Sequence, residues 1–276
     1  MLTYRFMQVA LLVCILLGIT FPIVGSFAVY KRLSSSGDAL AHSALAGVAI
    51  GLASGLSPLY MSIILCIVSF LVIDLLRKKF NKFSEIGVSI VLSASIGLAG
   101  ILSSYTKASN FDSYLFGSIL LISDSELIIT IILSVLVVLF AFFFYRRIFS
   151  ILYSESESKV DGIKVNLLTF FMDIFLSITI AIGSRIVGSL VVSSLIVLPT
   201  AIALQFKKGY KFTMYLSILA SVLSMTMGLT IAYYLDLKPG ATIVSFSVAL
   251  LLLIFLVKGI LRLIQKHKMR KEIQAK

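Results

Sequence analysis

The chain has 276 residues, 59% of them apolar and only 13% charged, and its net charge is +12. Soluble domains run to ~45–50% apolar and ~25% charged, and a mean hydropathy of +1.10 leaves no water-facing surface for a globular fold. A soluble enzyme, a nucleic-acid-binding module and a disordered chain are excluded, which leaves an all-α, polytopic transmembrane helix bundle.

In chain order, Arg5 precedes a long apolar run without a small-residue cleavage pattern, so 8–30 reads as a retained first span. Further runs lie near 38–56, 58–76, 84–104, 124–145, 165–184, 186–206, 211–234 and 240–262, which makes nine. Each approaches the ~20 residues that a crossing helix requires. The stretch 111–122 (FDSYLFGSILLI) is apolar but too short to cross alone, and reads as re-entrant or interfacial. Cys14 and Cys66 lie inside apolar runs and read as small hydrophobes, not as a disulfide framework.

Cations test the span count. Grouped by alternate connections, 20 of the 24 Lys and Arg fall on one side; Arg5, Lys107, Arg185 and Lys238 fall on the other. The positive-inside rule then predicts the N-terminus outside and the C-terminus cytoplasmic. The positive charge is a topology signal with some attraction to anionic lipid. No repeat period stands out, so residues 1–276 read as one transmembrane domain. Its longest cytoplasmic connection, 146–164 (RRIFSILYSESESKVDGIK), is either a solvated loop or a docking segment for a partner.

Several chemistries are absent. No GxxxxGK[ST] exists to cradle nucleotide phosphates and no HExxH to bind zinc for proteolysis. Ser54 and His42 are separated by ~18 Å along one helix, too far for a nucleophile and its base. Neither catalytic residues nor a resident cofactor is expected.

What remains is a small set of ionisable residues within apolar segments, where charge is costly and points to function. Asp38 and His42 open the second span in GDALAHSALAGVAIG, and their i, i+4 spacing stacks them on one helix face. A carboxylate beside an imidazole suits Zn²⁺ and also Mn²⁺; alternatively, Asp38 merely starts the helix and His42 packs. Gly47, Gly51 and Gly55 form GxxxGxxxG on the roughly opposite face, where another helix can approach closely. One chain offers too few ligands for a tetrahedral ion, so a second copy is expected to supply the rest. Asp173, in FFMDIFLSITIAIGS, is either structural or on the ion pathway. Pro199, in VVSSLIVLPTAIA, is expected to kink its helix, with Ser193, Ser194 and Thr200 near the opened turn.

Four segments carry a resemblance: GDALAHSALAGVAIG (37–51), YLFGSIL (114–120), IVGSLVVSSLIVLPTAIA (186–203) and DLKPGATIV (236–244). In order and spacing they resemble the permease subunits of bacterial zinc and manganese ABC importers. The resemblance implies a homodimeric channel in the bacterial cell membrane, served by a cytoplasmic ATPase pair and an extracytoplasmic metal-binding protein. It carries a metal-coordinating role onto Asp38 and His42, with Zn²⁺ or Mn²⁺ as transported ion and ATP hydrolysis in the partner. DALAHSALAGVA is closer to the zinc branch than to the manganese branch, where a proline commonly follows the histidine segment. SESESKVDG departs from the family's docking loop, and TAIA after Pro199 departs from its usual Ala-rich run. Fe²⁺ as the cargo and an ATPase-independent secondary metal carrier stand as alternatives.

Overall fold

A computed structural model describes residues 4–80, 83–104, 114, 115, 117, 119 and 122–274 of the chain, with side chains described to residue 260 except at 84. Among them are ten helices and no strand. They are α1 Arg5–Tyr30, α2 Ser34–Ser54, α3 Pro58–Phe80, α4 Ser84–Ser103, α5 Asp124–Tyr153, α6 Glu155–Val160, α7 Val165–Ile186, α8 Ser189–Leu204, α9 Tyr210–Leu235 and α10 Pro239–Gln274. Most of the expected re-entrant segment 111–122 lies outside the described residues.

Local chemistry sets the breaks. Arg32 adopts a left-handed conformation (φ 57°) and the Leu33 N–H returns to the Ala28 carbonyl at 2.7 Å, closing α1 before α2 begins. Pro58 opens α3 and Pro239 opens α10, positions where a missing N–H costs nothing. At α5, Ser123 and Glu126 form a reciprocal capping box. Between α7 and α8 only Val187 and Gly188 intervene, and Gly188 takes φ 111°, which strains any side chain.

The helices sort into an inside and an outside. In the most apolar window of α1, 67% of residues are buried, against 22% in α5 and 17% in α10. The exposed faces of α5 and α10 carry large apolar groups such as Phe142, Phe143, Leu253 and Leu256. A face of that kind needs hydrocarbon, not water, against it. Inside, α1, α2, α7 and α8 pack on one another. At Gly25 of α1 a Cβ would collide with the Ile196 carbonyl of α8, so the absence of a side chain sets that spacing.

Seven of the ten helices are long and apolar enough to cross a membrane, which is fewer than the nine expected spans. The two remaining expected spans are helices, α2 and α8, and each falls short for its own reason. With 16 residues, α8 is only ~24 Å long. For α2 the reason is composition: it is rich in Ser, Ala and Gly, and thirteen of its 21 residues are buried in protein.

The 146–164 connection also differs from a loop. Residues 146–153 continue α5, and α6 follows after the single residue Ser154. Ile151 packs with Val165 and Leu168, and Ile148 with Phe27 and Met172, so the apolar half of the segment is recruited into the bundle. The Ser/Glu-rich half forms α6, capped by Ser154 accepting from the Glu157 N–H.

Candidate functional site

The site is best built from α2 outward. Between Ser36 and Ala49 every residue is buried except Asp38 and His42: Asp38 is exposed and His42 half-buried. The i, i+4 pair is the one open window in an otherwise enclosed stretch of helix. Asp38 lies ~6 Å and His42 ~12 Å along the axis from the start of α2.

Neighbouring helices hold this window in place from behind. A Cβ on Gly47 would fall 2.6 Å from the Met61 carbonyl oxygen and the Ser62 Cα, and one on Gly51 would fall 2.7 Å from the Pro58 Cα. α3 therefore runs against the bare backbone of α2. Gly55 does something else: nothing lies within 4 Å of its Cβ position, and its φ of 72° terminates α2. The third glycine of GxxxGxxxG is thus a helix stop, corrected from a packing position.

Polar straps add to the glycine contact. Arg77 of α3 donates Nη2 to Ser36 Oγ at 2.8 Å, and the Cys66 thiol donates to the Leu40 carbonyl at 3.2 Å. Ser43 Oγ donates to the Ala39 carbonyl and, its one hydrogen so used, accepts from the Ser95 hydroxyl of α4, both at 2.8 Å. Fixed on its α3 and α4 sides, α2 can present Asp38 and His42 without moving to do so.

Two donors do not complete a metal site. Among the described residues no group of three or more His, Cys, Asp or Glu is placed to hold a metal ion. Asp173 does not join the pair. It is 7% exposed on α7 and lines a separate cleft with Asp74, Arg77 and Lys31, where neither Asp38 nor His42 appears. Pro199 is buried inside α8, which remains one helix across it; the Leu195 carbonyl loses its helical donor there. Ser193 and Ser194 are half-buried, and the Thr200 hydroxyl is buried with no partner among the described residues.

The opposite end of the bundle contains an arrangement that sequence reasoning missed. Arg185, at the end of α7, donates Nε to Glu126 Oε1 at 2.8 Å, both nearly buried, and its guanidinium lies 4.5 Å from the Tyr114 ring centroid. Gly117, with φ 77°, sits directly on the Val187–Gly188 turn. One clue was available: Ser123-x-x-Glu126 spells a capping box, and a lone Arg at the end of an apolar helix demands a partner. What the spacing did not reveal is that the capping carboxylate and that Arg are partners.

Over residues 3–258 the chain matches the ABC 3 transport family. The chain belongs to that family. As an ABC 3 member it is a multi-pass membrane permease subunit of the ABC class; ATP hydrolysis belongs to a separate subunit, which sets the ATPase-independent carrier aside. It is 36% identical over 255 residues to a "probable metal transport system membrane protein" of Treponema pallidum, covering 92% of this chain and 96% of that one. It is 30% identical to the high-affinity zinc uptake system membrane protein ZnuB of Buchnera aphidicola (84% and 90% covered). To the manganese transport system membrane protein MntC of Listeria innocua it is 29% identical (93% and 92% covered). In three dimensions it resembles PsaBC from Streptococcus pneumoniae, solved in complex with a Fab, with a TM-score of 0.81, 25% identity and 91% of each chain covered.

Proposed function

We propose that this permease imports a divalent metal ion, Zn²⁺ first, by alternating access within a symmetric pair of copies. The observation that carries this reading is the Asp38/His42 window on an otherwise enclosed stretch of α2. Two copies facing one another supply two carboxylates and two imidazoles, the four ligands that Zn²⁺ takes in tetrahedral geometry. Both donor types must be deprotonated to bind, so the ion enters at neutral pH and is lost in acid.

All nine long helices cross the membrane in this reading. α2 and α8 do so shielded by their neighbours, since protein rather than lipid meets their backbones and hydroxyls. The 20-to-4 division of cations supports an N-terminus outside and a C-terminus in the cytoplasm. In this reading α6 lies on the cytoplasmic face, where it meets the ATPase pair, and the Arg185 end lies outside, where a metal-binding protein delivers the ion. Closure of the ATPases tilts the helices and releases the ion inward. Pro199 supplies a point of bending in α8.

Mn²⁺ is the second reading, favoured by the manganese transport protein among the similar chains, and the same donors accept it. Uptake of labelled Zn²⁺ and Mn²⁺ by cells expressing the transporter tests both. Replacing either Asp38 or His42 by Ala is expected to lower uptake at least about tenfold, the loss of ~1.4 kcal/mol of binding, with protein abundance unchanged. Full uptake by His42→Ala would overturn the coordination role.

A further inference from the structure

A cleft of about 860 Å³ opens at the α6 end of the bundle, walled by the end of α3, the α1–α2 turn, α6 and the start of α7. Five cationic and three carboxylate side chains line it. Two of the carboxylates are already neutralised, Asp74 by Lys78 at 2.6 Å and Glu155 by Lys31 at 3.3 Å. The third, Asp173, is buried, facing Lys31, Arg77 and Asp74. Arg77 spends Nη2 on Ser36, and its buried Nε has no partner among the described residues. Lys159 and Lys164 stand exposed, with no carboxylate partner among the described residues. The cleft therefore keeps uncompensated positive charge.

Most of its remaining wall is apolar, with Asn166 and Thr169 the exceptions. Leu167 and Phe170 line the cleft while 52% and 41% exposed, within the first two turns of α7. On the topology proposed above, on which this inference rests, α7 enters the bilayer at that level and the cleft opens sideways toward lipid as well as toward water. A small anion accounts for the cations but leaves the apolar wall unexplained. An amphiphile with an anionic head and an acyl tail accounts for both. We propose that this cleft binds a phosphate-bearing headgroup, supplied by an anionic phospholipid whose chains run along Leu167 and Phe170. Lys159, Lys164 and Arg77 take the phosphate by charge-assisted hydrogen bonds, and the buried Asp173 stays beneath it, away from the head.

Native mass spectrometry of the full-length chain, stripped of lipid and offered phosphatidylglycerol or phosphatidylcholine, tests this. Phosphatidylglycerol should be retained about tenfold better, and Lys159→Gln with Lys164→Gln, two exposed positions, should abolish the preference. Displacement of phosphatidylglycerol by millimolar inorganic phosphate would support the phosphate chemistry of the cleft. Phosphate binding without any preference between the two lipids would overturn the lipid source. Equal retention of both lipids by the unaltered chain, with no phosphate effect, would overturn the proposal altogether. So would a double variant that keeps its lipid preference, whether or not it still holds the ATPase that α6 is proposed to meet. None of these readouts depends on metal transport.

Discussion

Helices α2 and α5 invert the arrangement familiar from soluble proteins. The most apolar window of α5 has a mean hydropathy of 3.2, yet only 22% of it is buried. α2 is built of Ser, Ala and Gly around one Asp and one His, and thirteen of its 21 residues are buried. In a bilayer, apolar length buys no contact between helices, because lipid is as apolar as leucine; close approach of small residues and polar straps do that work. The helix with the weaker hydropathy signal is accordingly the one enclosed by others, and it carries the only Asp/His pair of its kind in the chain.

The largest effect that would sharpen this contrast is on α2. Asp38→Ala or His42→Ala should remove most metal uptake while abundance in the membrane stays constant, and radiolabelled uptake against immunoblot separates the two. Next comes Gly47→Val: its Cβ alone falls 2.6 Å from α3 backbone, and overpacking costs ~1–3 kcal/mol or more. Thermal unfolding in detergent should show a clear drop, whereas Phe142→Leu on the exposed face of α5 should leave the midpoint where it was. An equal loss from both substitutions would break the distinction between inner and outer helices.

A comparable effect is expected from the nearly buried ion pair. Arg185→Met leaves the Glu126 carboxylate with only the Ser123 N–H and should cost ~3 kcal/mol, while Arg185→Met with Glu126→Leu should recover that loss less the ~1 kcal/mol of the α5 cap; a double-mutant cycle by thermal shift decides. Asp173→Asn should change uptake by less than about twofold, because Asp173 shares no cavity with the α2 pair. The smallest effect belongs to Lys31 and Glu155, partly exposed, whose bridge contributes under ~1 kcal/mol. Exchanging the two charges should restore whatever stability either single reversal removes.

Much of this was legible in the residues. Each of the nine apolar runs is a helix, because length and composition alone decide that a backbone in hydrocarbon must pair with itself. The Asp38/His42 pair was legible because i, i+4 spacing is a property of one helix. Gly55 was misassigned because a GxxxG pattern does not say where the helix stops, and the left-handed turn at Gly55 falls within the pattern. Segment 146–164 stood open between a solvated loop and a docking segment because charge at its middle hid the packing of Ile148 and Ile151 on neighbouring helices. Glu126 and Arg185 are 59 positions apart, beyond any local signal.

By itself, then, the sequence determined that the chain is helical and membrane-embedded, and that one helix carries a carboxylate and an imidazole on one face. These follow from composition and from a period of ~3.6 residues. Only the tertiary structure decided that this face is the unburied one, that Asp173 sits in a different cleft, and that Arg185 closes on Glu126. Those outcomes depend on which helices lie against which, and no periodicity within a single helix encodes its neighbours.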